Sequence, residues 1–254
     1  MGLFDIFKSK PKGAAAAAAP ADKNVARYAR TASDRHAQNY DRMEALESLA
    51  KISSAESAAV LLKRFTFYIE PSITDQEEKE VAFQGIVGAG EAAIDPIVAF
   101  CADPKSESLT WPLKILKVLV PADRFVEEVV EILSSKDTDY ARNVDPKLQL
   151  LSALEGVKDE DAIEEVMRFL EDVSEPVRFQ AVLCLLATDD ADAVIEPLVE
   201  QALDEESVRI RNKVAEGFAA RKWVVPAQHR QKLAAQIDVG GFYIDDKGNV
   251  VGGG

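Results

Sequence analysis

The stretch Ala93-Ile-Asp-Pro-Ile-Val98 returns further along the chain as Val194-Ile-Glu-Pro-Leu-Val199. Two weaker copies lie between them, at residues 125–130 and 162–167. The aliphatic positions that align in the four copies are separated by 32, 37 and 32 residues. Self-similarity at a period of about 20–50 residues is typical of stacked structural repeats, in which each unit shares its core with its neighbours. The sequence therefore predicts a row of helical pairs.

Hydrophobic spacing and turn residues predict an all-α fold, an α-solenoid of about six helix pairs over residues 41–237. The predicted breaks fall at Gly, Pro, Ser and Asp residues, because Gly and Pro end helices and Ser and Asp cap the next one. The longest interruption, residues 136–144, accounts for the 37-residue step. The predicted pairs are 41–52 with 56–69, 75–88 with 91–102, 108–119 with 122–134, 145–156 with 160–172, 175–187 with 190–204, and 207–221 with 226–237.

Three further segments surround the predicted solenoid. Residues 1–12 form an amphipathic N-terminal segment. Residues 13–40 form an Ala-rich linker and a polar arm, in which the apolar spacing favours a short helix. Residues 238–254 read as a short β-hairpin or tail. An isolated hairpin is marginal in water, so we expect this one either to dock on the solenoid or to fray.

Charge is distributed unevenly along the chain, whose net charge is −14 over 254 residues. Residues 121–206 carry 24 acidic and 7 basic side chains, a net charge of −17. A nucleic-acid-binding protein needs a basic surface that displaces counterions from phosphates, so this distribution argues against nucleic acid as a partner. A basic protein partner is compatible with it. The simpler interpretation is a well-solvated acidic helical protein.

The cysteines and histidines do not form a recognisable reactive motif. Cys101 and Cys184 lie in apolar helical stretches and are interpreted as small core residues in a reducing compartment. Because His36 and His229 are the only histidines and lie far from both cysteines, we predict no metal, no cofactor and no catalytic residue. No stretch approaches the ~20 apolar residues of a membrane span, and no secretory signal is found. We therefore expect a cytoplasmic location.

Residues 173–181 and 206–215 resemble HEAT repeats, specifically the HEAT-like type. In that family a polar cap precedes Val-Arg and an apolar face on the first helix, as in Val177-Arg178 and Val208-Arg209. The second helix often opens with an apolar-Pro-Leu phrase, as in residues 195–198, where a first-turn Pro loses no hydrogen bond. The resemblance implies a right-handed α-solenoid with a non-enzymatic scaffold or adaptor role, binding a protein partner.

Two enzymatic alternatives accompany this resemblance. HEAT-like repeats also occur in phycobilin lyases, so a lyase or an enzyme accessory protein is the alternative function. A HEAT-like DNA glycosylase would need a basic concave groove, which the net charge of residues 121–206 opposes. The adaptor interpretation is therefore preferred, with the oligomeric state left open.

A column of carboxylates is the candidate partner-binding site. Its members follow the aligned aliphatic position of successive second helices, which usually line the concave side of such a solenoid. The competing interpretation is structural, because carboxylates in first turns complement the helix dipole by about 0.3–1 kcal/mol without any partner. The column consists of Asp95, Glu127, Glu164 and Glu196, is extended by one turn at Glu131 and Glu200, and is interrupted by Arg168.

The N-terminal segment is the second candidate site. Its composition fits an interfacial anchor with weak peripheral contact on an anionic membrane, such as the inner face of the cell membrane. A docking peptide for a protein groove and an inert chain end are the alternatives. On a helix its apolar face would be Leu3, Phe4, Ile6 and Phe7, and the basic residues that follow are Lys8, Lys10 and Lys12.

Overall fold

The computed structural model describes residues 23–252, and this part of the chain forms thirteen α-helices followed by one two-stranded hairpin. Short 3-10 segments precede α5 and follow α3, α9 and α13. The elements are α1 Lys23–Ala32, α2 Asn39–Ile52, α3 Ala55–Leu62, α4 Ser72–Gly88, α5 Ile94–Ala102, α6 Thr110–Leu119, α7 Ala122–Ser134, α8 Asp145–Ala153, α9 Glu160–Met167, α10 Glu175–Ala187, α11 Ala191–Asp204, α12 Val208–Arg221, α13 Arg230–Ile237, β1 Phe242–Ile244 and β2 Val250–Gly252.

From α2 onward the helices alternate between two layers. The even layer holds α2, α4, α6, α8, α10 and α12, and the odd layer holds α3, α5, α7, α9, α11 and α13. Within the layers α2 packs on α4 and α10 on α12, while α3 packs on α5 and α7 on α9. Consecutive helices also pack across the layers, as α7 does on α8. The predicted α-solenoid of six helix pairs is confirmed.

Side-chain caps set several helix starts. Ser54, Asp159 and Ser207 each accept a hydrogen bond from the backbone N–H three residues on, which satisfies a donor that has no partner within the helix. The proline of the repeated phrase is expected in the first turn of its helix. Pro96 lies there, as the third residue of α5, but Pro197 lies inside α11. The side chain of Asp190 caps α11, so this helix begins well before its proline.

A continuous apolar core runs between the two layers. Fully buried members include Leu46 and Leu61 near its start, Leu151 in the middle, and Leu198 near its end. The prediction that both cysteines are core residues is confirmed. Burial raises the pKa of each thiol to about 12, so both remain protonated at neutral pH. The two cysteines are Cys101 and Cys184.

Helical packing begins earlier in the chain than the expected boundary at Asp41. Helix α1 packs against α2 and α3. Its apolar residues Val25 and Ala32 are buried in the common core. The arm after residue 22 therefore covers the first helix pair, which would otherwise leave apolar surface exposed to water.

Four fully buried charged residues join α2, α4 and the 3-10 segment after α3. The Arg42 guanidinium donates to both oxygens of Glu78, at 2.8 and 2.9 Å. The Arg64 guanidinium donates to Glu78 and to Asp75, both at 2.7 Å. Lys79 completes the set by donating to Asp75 at 2.7 Å. We call these five residues the ionic cluster, and the sequence analysis did not identify it.

A second set of cations ties the repeats through their connecting loops. Arg178 donates twice to the Glu205 carboxylate and once to the Asp172 carbonyl oxygen, each at 2.9 Å. Arg211 takes the same place one repeat later, where it donates to the Glu205 carbonyl oxygen. The sequence pairing of Val177-Arg178 with Val208-Arg209 is therefore out of register. Arg209 instead lies over the Phe179 ring.

The C-terminal hairpin docks on the last helix pair. β1 and β2 are antiparallel, and Phe242 and Val250 are buried against α12 and α13. Val225 N–H donates to the Gly248 carbonyl oxygen at 2.9 Å, and Arg230 Nε donates to the Val225 carbonyl oxygen at 3.0 Å. The hairpin therefore covers the last repeat, and of the two expectations docking is the one observed.

Candidate partner-binding surface

Acidic side chains are concentrated in the odd layer. Each of α7, α9 and α11 carries four acidic residues, and Arg124 is the only basic residue in these three helices. In the even layer, α6 has two lysines and no acidic residue, and α12 has four basic residues and one acidic residue. From α6 onward the odd layer is therefore more acidic than the even layer, whereas α2 and α4 of the even layer are themselves rich in carboxylates. We call the exposed carboxylates of α7, α9 and α11 the acidic face.

All six residues of the predicted column lie in the odd layer. Five of them are exposed, and the sixth, Glu196, is partly buried. Glu127, Glu131 and Glu164 form no ion pair with any basic side chain of the described residues. Arg124 instead bonds to Glu91 and Glu128. Because α7 packs on α9, these three carboxylates lie on neighbouring helices and are available to an external cation.

The helix dipole does not account for most of the column. Asp95 lies in the first turn of α5, as expected. The first turn of α7 is instead occupied by Asp123, and that of α11 by Asp192. Glu127, Glu164 and Glu196 lie further along their helices, where the dipole has little effect on a carboxylate. The expectation that these three residues occupy first turns is wrong, because each lies four or five residues after the first residue of its helix.

Glu196 has an internal partner that the sequence analysis did not identify. Its Oε1 lies 2.6 Å from His229 Nε2 and 3.3 Å from Gln228 Nε2. This contact joins α11 to the start of α13 across 33 residues of sequence. Glu196 therefore helps to position α13, and it contributes less free charge to the acidic face than the other column residues.

A groove of about 1050 Å³ crosses the odd layer between α9, α11 and α13. We call it the C-terminal groove. Its lining combines apolar side chains with carboxylates and includes Glu200 from the predicted column. The predicted column borders a concave surface here. The remaining acidic lining residues are Glu171 and Asp204, and the apolar ones are Met167, Leu170, Pro197, Leu203 and Ala235.

The features associated with catalysis or membrane insertion are sparse in the described residues. No group of three His, Cys, Asp or Glu side chains within residues 23–252 is arranged to hold a metal ion. His36 is exposed, and its backbone N–H donates to Asp34. No single helix of this region has the length and apolar composition of a membrane span; α4 with residues 90–102 meets that test only as a pair bent by 118°.

The predicted N-terminal site lies outside the described residues. Its apolar and basic positions, Leu3 to Lys12, precede Lys23, where the description begins. Its membrane or docking role therefore stays a prediction from sequence.

Comparison with known proteins identifies the repeat type. A family model described as HEAT repeats matches residues 126–219, which run from α7 into α12. No curated protein and no solved structure matches the chain significantly. The matched region holds most of the acidic face, and the same two-layer packing continues upstream to α2. Residues 126–219 of the chain are therefore similar to HEAT repeats.

Proposed function

We propose that this protein is a scaffold that binds a basic protein partner through the acidic face of its odd layer. HEAT repeats suggest a surface for protein interaction. The observation that carries the proposal is the exposed, unpaired state of Glu127, Glu131 and Glu164 on two packed helices. A surface potential of one sign attracts a partner of the opposite sign, and it disfavours partners of like charge.

The acidic face suits a partner with several basic residues in succession. Neighbouring helices pack about 8–10 Å apart, so the carboxylates recur along the odd layer at a spacing that Lys and Arg side chains can follow. A single exposed ion pair contributes only about 0.2–1 kcal/mol, so several pairs must form together. Such a complex weakens as salt is added, because exposed charges are screened beyond about 10 Å at 0.1 M ionic strength.

The test reverses the unpaired charges and measures partner binding. We expect the triple variant Glu127→Lys, Glu131→Lys, Glu164→Lys to lose most of its partner after affinity capture from the source cells and quantitative mass spectrometry. Its melting temperature should stay close to the unmodified value, because exposed substitutions away from special contacts change stability little.

The matched control reverses three exposed carboxylates of the even layer. Glu44→Lys, Glu47→Lys, Glu77→Lys gives the same change in net charge on α2 and α4. This variant should retain the partner. If both triple variants lose it equally, binding follows net charge rather than the acidic face, and the proposal fails.

A further inference from the structure

The C-terminal groove is lined by both apolar side chains and carboxylates. Leu170 and Leu203 contribute apolar surface from two different elements, and Pro197 adds to it from α11. Glu200 and Asp204, one turn apart on α11, are both exposed, and Lys232 is the only Lys or Arg in the lining. A ligand that fills this groove must therefore offer large apolar side chains and an excess of positive charge.

The first twelve residues of this same chain have that composition. Residues 1–12 include the large apolar residues Leu3, Phe4, Ile6 and Phe7, followed by Lys8, Lys10 and Lys12, with Asp5 as the single acidic residue. We propose that the C-terminal groove binds residues 1–12 of a second copy of this chain. The proposal rests on the proposed protein-binding function of the odd layer, and it assigns the N-terminal segment a docking role. The supporting observation is complementarity of both charge and apolar surface.

The length of chain before α1 favours a second copy over the same copy. Helix α1 packs on α2 and α3, at the opposite end of the solenoid from α11. Four steps along the odd layer separate α3 from α11, roughly 32–40 Å at 8–10 Å per step. Residues 12–23 span at most about 36–40 Å when fully extended. Because the groove also borders α9, three such steps from α3, binding within one copy would still require a largely extended connection, at a cost in conformational entropy.

Such a contact joins two different surfaces, so it is heterologous. Each copy offers one segment and one groove, and association can continue from copy to copy unless the chain closes into a ring. Self-association of the full chain should therefore depend on concentration and weaken as salt is added.

The experiment combines charge reversal on the two sides of the contact. Sedimentation velocity of the full-length chain is expected to show association that becomes about tenfold weaker in Glu200→Lys, Asp204→Lys, which corresponds to the loss of about 1.4 kcal/mol. Lys8→Glu, Lys10→Glu should weaken it similarly. The chain that carries all four substitutions should regain association, because the charges are exchanged. A general loss of folding or solubility in the two double variants could not produce this recovery of association.

A second measurement identifies the ligand directly. A fluorescent synthetic peptide of residues 1–12 should bind the full-length chain and be displaced by its unlabelled form. The same peptide with Phe4→Glu and Phe7→Glu should not bind. Glu44→Lys, Glu47→Lys on α2 is the matched control, because it makes the same change of charge at exposed residues outside both the groove and the acidic face, and it should leave peptide binding and self-association unchanged.

Several outcomes would overturn the inference. The inference fails if the chain stays monomeric at all concentrations. It also fails if the control variant loses as much self-association as the groove variant, or if the chain with all four substitutions does not regain it. The segment would instead be assigned to a membrane by two results together. The full chain would sediment with phosphatidylserine vesicles and lose this binding in Phe4→Glu, Phe7→Glu. The groove variant would have no effect on self-association. Loss of an external partner in the Glu127, Glu131 and Glu164 variant bears only on the proposed function, so the two failures are distinguishable.

Discussion

Within the ionic cluster, Glu78 accepts hydrogen bonds from two buried guanidinium groups, those of Arg42 and Arg64. The other donors are also used, since Arg42 donates to the Ala37 carbonyl oxygen and Arg64 to the Phe67 carbonyl oxygen. Burying charges is costly unless every charge is paired, and this network meets that condition. Its contribution is to fix how α4 lies on α2 and α3 rather than to add a large net stability.

Removing the shared carboxylate should therefore destabilise the fold strongly. We expect Glu78→Ala to lower the free energy of unfolding by about 3–5 kcal/mol, because it leaves the buried Arg42 without a carboxylate partner and leaves Arg64 with only Asp75. Urea unfolding followed by circular dichroism measures this. Glu77→Ala, at an exposed neighbouring position, should change it by no more than about 0.5 kcal/mol. Similar effects in the two variants would show that the ionic cluster is not needed for the fold.

The same cluster predicts a dependence of stability on pH. Burial alone would raise the pKa of Asp75, but hydrogen bonds from Lys79 and Arg64 outweigh it and hold the pKa below its ordinary value of 3.8. The stability that this carboxylate contributes is therefore complete above pH 3.8 and is lost as the pH falls through the lowered pKa. We expect the unfolding free energy of Asp75→Asn to vary less with pH in this acidic range. A slope equal to that of the unmodified chain would contradict the assignment.

At the scale of single elements, the passage of α4 over α2 depends on a glycine. A Cβ atom added at Gly85 would lie 2.7 Å from the Cβ of Ala50 and 2.9 Å from Leu61 Cδ1. Gly88, three residues later in the same helix, has no atom closer than 3.9 Å to its added Cβ. The two glycines therefore differ in packing although both are helical.

This difference gives a paired test of the α2–α4 contact. Gly85→Ala should lower the free energy of unfolding by about 1–3 kcal/mol, because the extra methyl group pushes packed helices apart. Gly88→Ala should be neutral or stabilise by up to about 1 kcal/mol through higher helix propensity. Thermal and urea unfolding measure both. An unchanged stability for Gly85→Ala would mean that α2 and α4 lie further apart than described.

For the whole molecule, stability arises from contacts between neighbouring repeats. Leu151 is fully buried in α8, and its carbonyl oxygen accepts from Cys184 Sγ in α10 at 3.0 Å. Helix α10 in turn packs on α12. A change in the middle of the row should therefore reach helices that do not touch the substituted residue.

Leu151→Asp tests this propagation, because it places an unpaired charge in the shared core. Hydrogen exchange read by mass spectrometry should show faster exchange in α8, α10 and α12, with a lower melting temperature. Ser152→Asp, at the exposed neighbouring position, should leave exchange unchanged. Faster exchange confined to α8 would show that the repeats open independently.

Signals within short sequence windows were sufficient to predict the repeat organisation. Pairings between residues far apart in the sequence could not be predicted. Ser54, Asp159 and Ser207 cap helices through bonds three residues away, which a short sequence window contains. The Arg42–Glu78 pair spans 36 residues, and in sequence both side chains resemble solvated charges on amphipathic helices. The acidic column could be predicted because it repeats with the period. The C-terminal groove could not, because its lining comes from three separate helices.

The separation of charge between the two layers from α6 onward makes the molecule an electric dipole. A dipole in a field experiences a torque, so a nearby charged body would orient the molecule before any contact forms. Close to an anionic surface, α6 and α12 would turn toward that surface, and α7, α9 and α11 would turn away from it. The acidic face would then remain open to the surrounding solution even when the molecule, whose net charge is negative, lies against an anionic surface.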